Sequence, residues 1–324
     1  NGADCVLELP TAFAVSPAEI FAAGAIKILS SIPDVTSIAF GVENDDKAAL
    51  CSAANILTTE SDKFKTVLNR CLNDGKSYIT SFNTAFEAVG GNAEILKKPN
   101  NILAVEYLKA IKKAKSEINI FPIKRIGADY GDEELKSNYS SAAAIRANLL
   151  SPEIKQNIPT CVYNDIVNSA GLDEKFGQCL KLILSRTSTL DLKRVFGCTE
   201  GLENALKSLE KEPLDVIIKG STSKRYTASR IRRILCENFL NIYRDDCERF
   251  LSSSLYLSPL AVKKASVGGI FAAFAKASVP VLTSRSDEQK LDIIAKKCKF
   301  LDNFAHSQWQ QVSGIKALTK LQIL

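Results

Sequence analysis

Residues 98–146, KPNNILAVEYLKAIKKAKSEINIFPIKRIGADYGDEELKSNYSSAAAIR, alternate three short polar motifs with apolar segments. The motifs are Pro99-Asn100-Asn101, Lys124-Arg125-Ile126-Gly127-Ala128 and Ser140-Ser141-Ala142-Ala143-Ala144-Ile145-Arg146. Proline and asparagine typically begin helices, and the apolar residues after the first motif recur at helical spacing. A strand-like segment precedes the second motif, and the third leads into a helix. Each motif therefore falls where a strand or loop meets a helix, the place where open α/β sheets bind nucleotides.

The first two motifs offer candidate contacts to a nucleotide, and each has a plainer explanation. Asn100 and Asn101 are typical helix caps, but their amides can also bond adenine or ribose. Arg125 is either a surface charge beside Lys124 or a group that stabilises the negative charge of a bound phosphate. The residues by themselves leave both alternatives open.

Two further positions suit an anionic ligand. Ser141 and Arg146 flank a predicted helix start, whose amides favour an anion. Gly41 is predicted to end the strand Ser37–Phe40, and a glycine there lets the backbone approach a ligand closely. Spacing alone favours a simple turn glycine.

Composition and cysteine usage narrow the class of protein. A length of 324 residues suggests two domains of ordinary size or one large one. The hydrophobic content of 46% is ample for a buried core. No apolar run reaches membrane-spanning length. The nine cysteines are scattered without a Cys-x-x-Cys pair, which favours free thiols in a reducing cytoplasm over a zinc site. The net charge of +6 suits an anionic partner.

The second half of the chain, from Ser151-Pro152 onward, has mainly helical patterns. It closes with a small α/β unit. There we predict strands at Leu255–Leu257 and Val279–Leu282, and helices at Ala261–Ala277 and Asp287–Lys296. The predicted division into domains is 1–150 and 151–324.

The segment Lys219–Arg233 contains six basic residues and no acidic one. Thr227 can cap a helix through this segment, and Tyr226 adds a ring that can stack on a base. The segment suits the phosphates of RNA, unless it is an ordinary solvated helix face. The predicted RNA contacts are Lys224, Arg225, Tyr226, Arg230 and Arg233.

Several motifs together resemble the bacterial tRNA(Met) cytidine acetate ligases, a family of the nucleotidyltransferase superfamily. The matching motifs follow in order over most of the chain. They are Asp4-Cys5-Val6-Leu7-Glu8-Leu9-Pro10, Phe40-Gly41, Pro99-Asn100-Asn101-Ile102-Leu103, Lys124-Arg125-Ile126-Gly127-Ala128 and Lys224-Arg225-Tyr226-Thr227.

The resemblance implies a fold and an activity. The expected fold is α/β, with a Rossmann-like, HIGH-type nucleotidyltransferase domain that binds ATP, followed by a mainly helical region that binds tRNA. The expected enzyme activates acetate with ATP and Mg²⁺, then acetylates the wobble cytidine of elongator tRNA(Met) to N(4)-acetylcytidine. Membranes and DNA are not expected partners.

The resemblance also implies site residues. The expected contacts to ATP are Gly41, Asn100, Asn101, Arg125, Ser141 and Arg146, with Arg125 as the catalytic residue. Ala143 stands where relatives have threonine, which weakens the role of Ser141 and leaves Arg146 as the better charged contact. His306 is the single histidine and is expected to be a packing or surface residue.

The family's His-x-Gly-His motif is absent from these residues, and the chain opens directly on a matching motif at Asn1. We therefore expect a fragment that lacks the first strand and is inactive in acetate-dependent ATP–pyrophosphate exchange. Two other functions remain open: an adenylyltransferase with a small-molecule acceptor, and a non-catalytic tRNA-binding protein.

Overall fold

The structure, a computed structural model, describes residues 2–127, 133–136, 139–168, 172–223, 225–317 and 320–324. Its strands are β1 (Cys5–Leu7), β2 (Ser37–Val42), β3 (Asn119–Lys124), β4 (Pro259–Val262) and β5 (Gln322–Ile323). The α-helices of the first half are α1 (Thr11–Ala14), α2 (Ala18–Ser30), α3 (Lys47–Thr59), α4 (Asp62–Asn73), α5 (Tyr78–Ala88), α6 (Pro99–Lys113) and α7 (Ala142–Ala147). Those of the second half are α8 (Tyr163–Asn168), α9 (Leu172–Arg186), α10 (Thr189–Leu192), α11 (Leu202–Ser208), α12 (Leu214–Ser221), α13 (Ala228–Phe239), α14 (Arg244–Ser252), α15 (Val267–Ala275) and α16 (Ile293–Ser313). Short 3₁₀ helices lie at Ala93–Lys97, Pro152–Gln156, Thr160–Val162, Lys264–Ser266 and Arg285–Lys290.

A two-stranded parallel sheet forms the centre of the first half. Strands β2 and β3 pair in register from Ser37 beside Asn119 to Val42 beside Lys124. Helix α6 precedes β3 and packs against α2, α3 and β2. Because the strands are parallel, the polar segments that follow them emerge at the same edge.

Among the described residues, buried hydrophobic side chains form two cores. The smaller core lies around the parallel sheet and includes Val42, Leu50, Phe64, Phe86 and Val105. The larger core joins α1 and α2 to the helices of the second half and includes Ala12, Phe13, Ile28, Leu184, Ile231, Tyr256 and Leu301. The early helices therefore share a core with the later ones. The predicted division at residue 150 stays a prediction.

Strand β1 lies outside the parallel sheet. It pairs antiparallel with β4, which pairs in parallel with β5. Cys5 lies beside Val262, so the first strand and the small α/β unit near the end of the chain form one sheet.

Several predicted elements differ from the observed ones. Gly41 is the fifth residue of β2, which continues to Val42, so it does not end the strand. The predicted strands Leu255–Leu257 and Val279–Leu282 contribute only a bridge between Leu257 and Val281. The first two residues of the predicted helix Ala261–Ala277 belong to strand β4. Helix α15, Val267–Ala275, is the part of that prediction that is α-helical. Short apolar runs suit either structure, and pairing with β1 selects the strand.

The sequence Ser16-Pro17 is typical of a helix start, with the serine as cap, and helix α2 does begin directly after it, but Ser16 does not cap the helix. The Ser16 hydroxyl donates to the carbonyl of Ala12 at 2.6 Å, and Pro17 occupies the capping position. Across the described ranges, no helix combines the length and the apolar character needed to cross a membrane.

Candidate functional site

Gly41 and Arg125 lie together at the edge of the parallel sheet where β2 and β3 end. The backbone N–H of Arg125 donates to the carbonyl of Val42 at 2.8 Å. A Cβ on Gly41 would lie 3.6 Å from Cγ of Arg125, an ordinary contact distance. The packing of the chain therefore does not by itself require glycine here, which leaves close approach of a ligand as a reason for it.

The two basic residues of the second motif differ in their surroundings. Lys124 lies 3.6 Å from a carboxylate oxygen of Asp45. The guanidinium of Arg125 is exposed and forms no hydrogen bond or ion pair with any residue that the structure describes. The Arg125 side chain is therefore available to an anionic ligand at this edge. Ala128, the last residue of the motif, lies outside the described residues.

Glu43 links the sheet edge to the start of α6. Its Oε1 accepts hydrogen bonds from Nδ2 and the backbone N–H of Asn100, at 2.6 and 3.3 Å, and its Oε2 accepts from the N–H of Asn101 at 3.0 Å. In return, Oδ1 of Asn101 accepts from the N–H groups of Glu43 and Asn44 at 3.0 and 3.2 Å. A carboxylate at the N-terminus of a helix also interacts favourably with the helix dipole.

These bonds give the asparagines a structural task. Asn101 is 1% exposed and holds the loop after β2, so it positions the edge that carries Gly41. Direct contact of Asn100 or Asn101 with ATP stays a prediction. Sequence reasoning missed Glu43, because nothing near it in sequence indicates partners at residues 100 and 101.

Glu43→Ala is expected to destabilise the protein by about 1–3 kcal/mol, because it leaves polar groups at the start of α6 without partners. Urea unfolding measures the loss. Asp45→Ala is the matched control: it removes a carboxylate of the same loop whose exposed ion pair contributes under about 1 kcal/mol. Equal effects of the two changes would contradict the structural role of Glu43.

The Ser140-Ser141 motif lies close to Gly127. Gly127 has a φ of +100°, and a Cβ there would lie 2.6 Å from Cβ of Tyr139, so the close approach requires glycine. Ser141 is buried, and its hydroxyl accepts from the N–H of Ala144 at 2.9 Å as the cap of α7. The predicted helix start is confirmed. A role of Ser141 in ATP binding stays a prediction.

Arg146 lies on the six-residue helix α7 and is exposed. It lines a cavity of about 420 Å³ together with Phe176 and Trp309. Arg146 and Ser141 are thus carried by one short helix, and the contact of Gly127 with Tyr139 joins that helix to the segment of Arg125.

The basic segment Lys219–Arg233 receives counter-charges from elsewhere in the fold. Arg225 forms an exposed ion pair with Glu200. Arg233 is half-buried; burial lowers its pKa, and Glu237 one turn further along α13 acts in the opposite direction. The segment itself contains no acidic residue, but acidic residues from other parts of the chain, such as Glu200, lie beside it in the fold. Lys224 lies outside the described residues.

Tyr226 and Arg230 are engaged within the protein. The Tyr226 hydroxyl donates to the carbonyl of Thr199 at 2.5 Å, and the ring is buried beneath the guanidinium of Arg230. Arg230 also donates to the carbonyl of Gly197 at 2.6 and 3.2 Å. Tyr226 therefore does not present a free face to a base. The predicted cap Thr227 is confirmed, since its hydroxyl accepts from the N–H of Arg230.

The single histidine joins the first strand segment to the last helix. Nε2 of His306 on α16 is hydrogen-bonded to Oε1 of Glu8, and Oε2 of Glu8 accepts from the Ser258 hydroxyl at 3.0 Å. Burial alone would raise the pKa of Glu8, but His306 and the nearby Lys299 together lower it. His306 thus has the packing role that the sequence predicts.

A fully buried carboxylate completes this cluster. Asp302 accepts from the Tyr256 hydroxyl at 2.5 Å and from the N–H of Thr11 at 2.7 Å. Burial raises its pKa to about 6, with a further contribution from Glu8. Among the described residues, no three histidine, cysteine, aspartate or glutamate side chains converge as a metal site would require.

The parallel strands, the free arginine at their carboxyl edge and the helical second half define an α/β nucleotide-binding protein. Comparison with known proteins gives the family. The HIGH nucleotidyl transferase family model matches residues 1–318. Among curated proteins, the tRNA(Met) cytidine acetate ligase of Clostridium kluyveri strain ATCC 8527 is 32% identical over 323 residues, which cover 92% of this chain and 79% of that protein. That of Clostridium perfringens strain SM101 is 35% identical over 75% of this chain.

Comparison with solved structures indicates the same family. The apo crystal structure of Thermotoga maritima TmcAL covers all of this chain and 85% of its own, with a TM-score of 0.90 and 25% identity. The crystal structure of the same protein bound with alpha-thio ATP matches this chain with a TM-score of 0.83 and 26% identity. The match covers 96% of this chain and 80% of that one. The chain therefore belongs to the tRNA(Met) cytidine acetate ligase family of HIGH nucleotidyl transferases. It spans about 65% of the length of the first curated relatives it matches.

Proposed function

We propose that this protein activates acetate with ATP and transfers the acetyl group to the wobble cytidine of elongator tRNA(Met), yielding N(4)-acetylcytidine. The names of its relatives and the ATP analogue bound to a structural neighbour support this activity. The observation within the chain that carries the proposal is the free guanidinium of Arg125 beside Gly41 at the edge of the parallel sheet.

The reaction needs two steps because acetate is a poor acylating agent. A carboxylate oxygen of acetate attacks the α-phosphorus of ATP, an O–P bond forms, and the bond to pyrophosphate breaks. The cytidine N4 then attacks the acetyl carbonyl carbon, the bond to AMP breaks, and N4 loses a proton. Negative charge grows on the α-phosphate in the first step, and Arg125 is positioned to stabilise it.

Gly41 and the two asparagines that are hydrogen-bonded to Glu43, Asn100 and Asn101, would hold the nucleotide near Arg125. Glycine leaves room for the ligand against the end of β2, and the bonds from Glu43 keep the loop and the start of α6 in fixed relation. A preorganised edge of this kind loses little entropy when ATP binds.

Mg²⁺ is proposed as the partner of the ATP phosphates. The described residues offer no cluster of three or more acidic, histidine or cysteine side chains that would hold a metal alone. This fits an ion that keeps several waters and binds mainly to phosphate oxygens, where it would neutralise charge. No protein ligand is assigned to it.

The basic segment is the proposed surface for tRNA, and the cytoplasm is the proposed compartment. In that segment, Arg225 and Arg232 are exposed, while Arg230 and Arg233 are partly buried. The ion pair of Arg225 with Glu200 is solvent-exposed and therefore weak enough for phosphate to displace.

The double change Arg225→Ala and Arg230→Ala is expected to weaken tRNA binding and flatten its salt dependence. Each lost phosphate contact should reduce the log–log salt slope by roughly 0.7–0.9. Filter binding at several salt concentrations measures the slope. Because Arg230 also bonds Gly197, thermal melting must accompany the assay.

Lys63→Ala and Lys65→Ala together provide the control, since both are exposed residues of α4 and the same positive charge is removed. This control should keep the parent slope. A folded Arg225 and Arg230 variant with the parent slope would show that the segment is an ordinary solvated helix face.

The direct test of the proposed function uses protein expressed from the complete reading frame, incubated with labelled acetate, ATP and tRNA(Met). Mass spectrometry of the digested tRNA should identify N(4)-acetylcytidine, and its formation should require ATP. Adenylate formation without transfer to RNA would instead favour a small-molecule acceptor.

A further inference from the structure

The cavity that Arg146 lines is the starting point. It has a volume of about 420 Å³ and lies where α7, α9 and the C-terminal part of α16 meet. Its wall is mostly apolar, with two aromatic side chains and two opposite charges. The residues that matter here are Ile145, Leu149, Phe176, Trp309, Arg146 and Asp173. A cavity of this size, apolar with a few polar groups, is typical of a site for a small molecule or a single nucleotide.

The two aromatic side chains of the cavity differ in their packing: Trp309 is largely exposed, whereas Phe176 lies between the larger core and the cavity. Trp309 is 48% exposed, although tryptophan is usually well buried in proteins. Phe176 is partly buried and packs edge-on against Phe239, so its ring borders the cavity without filling it. Exposed aromatic faces are the surfaces on which unpaired bases stack.

The charged side chains of the cavity are also free. Neither Arg146 nor Asp173 forms an ion pair or hydrogen bond through its side chain with the residues that the structure describes. A carboxylate and a guanidinium at the border of an apolar cavity can each bond a ligand that presents donors and acceptors together.

The position of the cavity connects it to the adenylate. Helix α7 carries Arg146 and begins at Ser141, two of the residues proposed to contact ATP. A base in the cavity would therefore lie against the same helix as the activated acyl group. This step rests on the proposed function.

We propose that this cavity holds the pyrimidine base of the acceptor cytidine, extruded from the RNA, with its ring against Trp309 and Phe176 and its amino group donating to Asp173. Enzymes that modify a base commonly take it out of the stack into such a pocket. Cytosine presents an amino donor where uracil presents a carbonyl acceptor, so the Asp173 carboxylate favours cytosine. The site thereby distinguishes the two pyrimidines.

The test uses the intrinsic fluorescence of Trp309, the single tryptophan of the chain. Titration with a short single-stranded RNA that contains one cytidine should quench this fluorescence. The same RNA with uridine at that position should bind about tenfold more weakly by this signal. Cytidine and uridine monophosphates, titrated separately, show whether the base alone suffices or the RNA chain is needed.

Asp173→Asn should remove the preference for cytidine, because an amide can donate to uracil as well as accept from cytosine. Glu174→Gln is the matched control, an exposed carboxylate on the same helix turn that does not line the cavity, and it should keep the preference. Circular dichroism confirms that both variants are folded.

Equal quenching by the cytidine and uridine RNAs, or a preference unchanged in Asp173→Asn, would overturn the proposal. RNA that binds by filter assay without quenching Trp309 would overturn it and leave the proposed function standing. Absence of any binding of tRNA(Met) would count against the proposed function itself, and against this site with it.

Discussion

Arg125→Ala is expected to slow acetyl-adenylate formation by roughly a hundredfold, since losing one charge-stabilising contact costs on the order of 3 kcal/mol of barrier. The backbone N–H that bonds Val42 is retained in this variant, and the side chain makes no other bond in the described part of the chain, so the fold should be unaffected. Acetate-dependent ATP–pyrophosphate exchange in protein from the complete reading frame measures the loss. Affinity for tRNA should stay nearly unchanged.

Lys124→Ala provides the matched control for Arg125→Ala. Both side chains are exposed cations of one motif, but Lys124 is directed to Asp45. Its removal should change the exchange rate little. Equal rates in the Arg125→Ala variant and the parent would show that Arg125 is only a surface charge.

Glu237 is expected to make the stability of the protein depend strongly on pH. It is 1% exposed, and neither carboxylate oxygen has a hydrogen-bond partner among the described residues. Burial raises its pKa from 4.5 to about 8, partly offset by the charge of Arg233. The nearby thiols offer no positive charge: Cys198 and Cys247 are buried, and Cys236 is partly buried.

The direction of the effect follows from the raised pKa. The folded protein holds the Glu237 proton up to about pH 8, whereas the unfolded chain releases it near pH 4.5. Folding is therefore favoured by this group below about pH 4.5, and that contribution is lost as pH rises through about 8. Each unit of pKa difference corresponds to about 1.4 kcal/mol, so we expect a loss on the order of 5 kcal/mol over this window.

Glu237→Gln should remove this loss, because glutamine has a similar shape and does not ionise. Urea unfolding from pH 5 to 9 should show the stability of the parent falling relative to that of the variant. Other titrating groups, such as Asp302, contribute equally to the stability of the parent and of the variant, so their effect cancels in the difference. Glu248→Gln, an exposed carboxylate of α14, is the control and should follow the parent. Parallel curves for the parent and Glu237→Gln would contradict the prediction.

Helix starts were the features that the sequence predicted best. Thr227 caps α13 as predicted, and α7 begins directly after Ser140-Ser141, where a helix start was predicted. Capping joins a side chain to a backbone N–H two or three residues away, so the information is local. Pro99-Asn100-Asn101 also lies at the predicted helix start, but Lys98 occupies the capping position and neither asparagine caps α6. Lys124-Arg125 lies at the end of β3.

Which strands pair with each other could not be predicted from short stretches of sequence. The segment Cys5–Leu7 has the composition of a strand, but its partner β4 lies some 250 residues away and was predicted as a helix start. Apolar runs of four or five residues suit a helix or a strand equally. The outcome depends on which backbone donors and acceptors the rest of the fold brings alongside.

The motifs at the sheet edge, the main helices and the family could be predicted from residue order, because they depend on residues close together or on their succession along the chain. Which charges have partners depended on the folded arrangement. It places Glu43 on Asn100 and Asn101, Glu200 on Arg225 and Glu8 on His306. It gives the Arg125 side chain no partner among the residues that the structure describes. Charge interactions act through space at a few ångströms, so a charge that is unopposed in its own segment can be neutralised by a distant one that folding brings into contact.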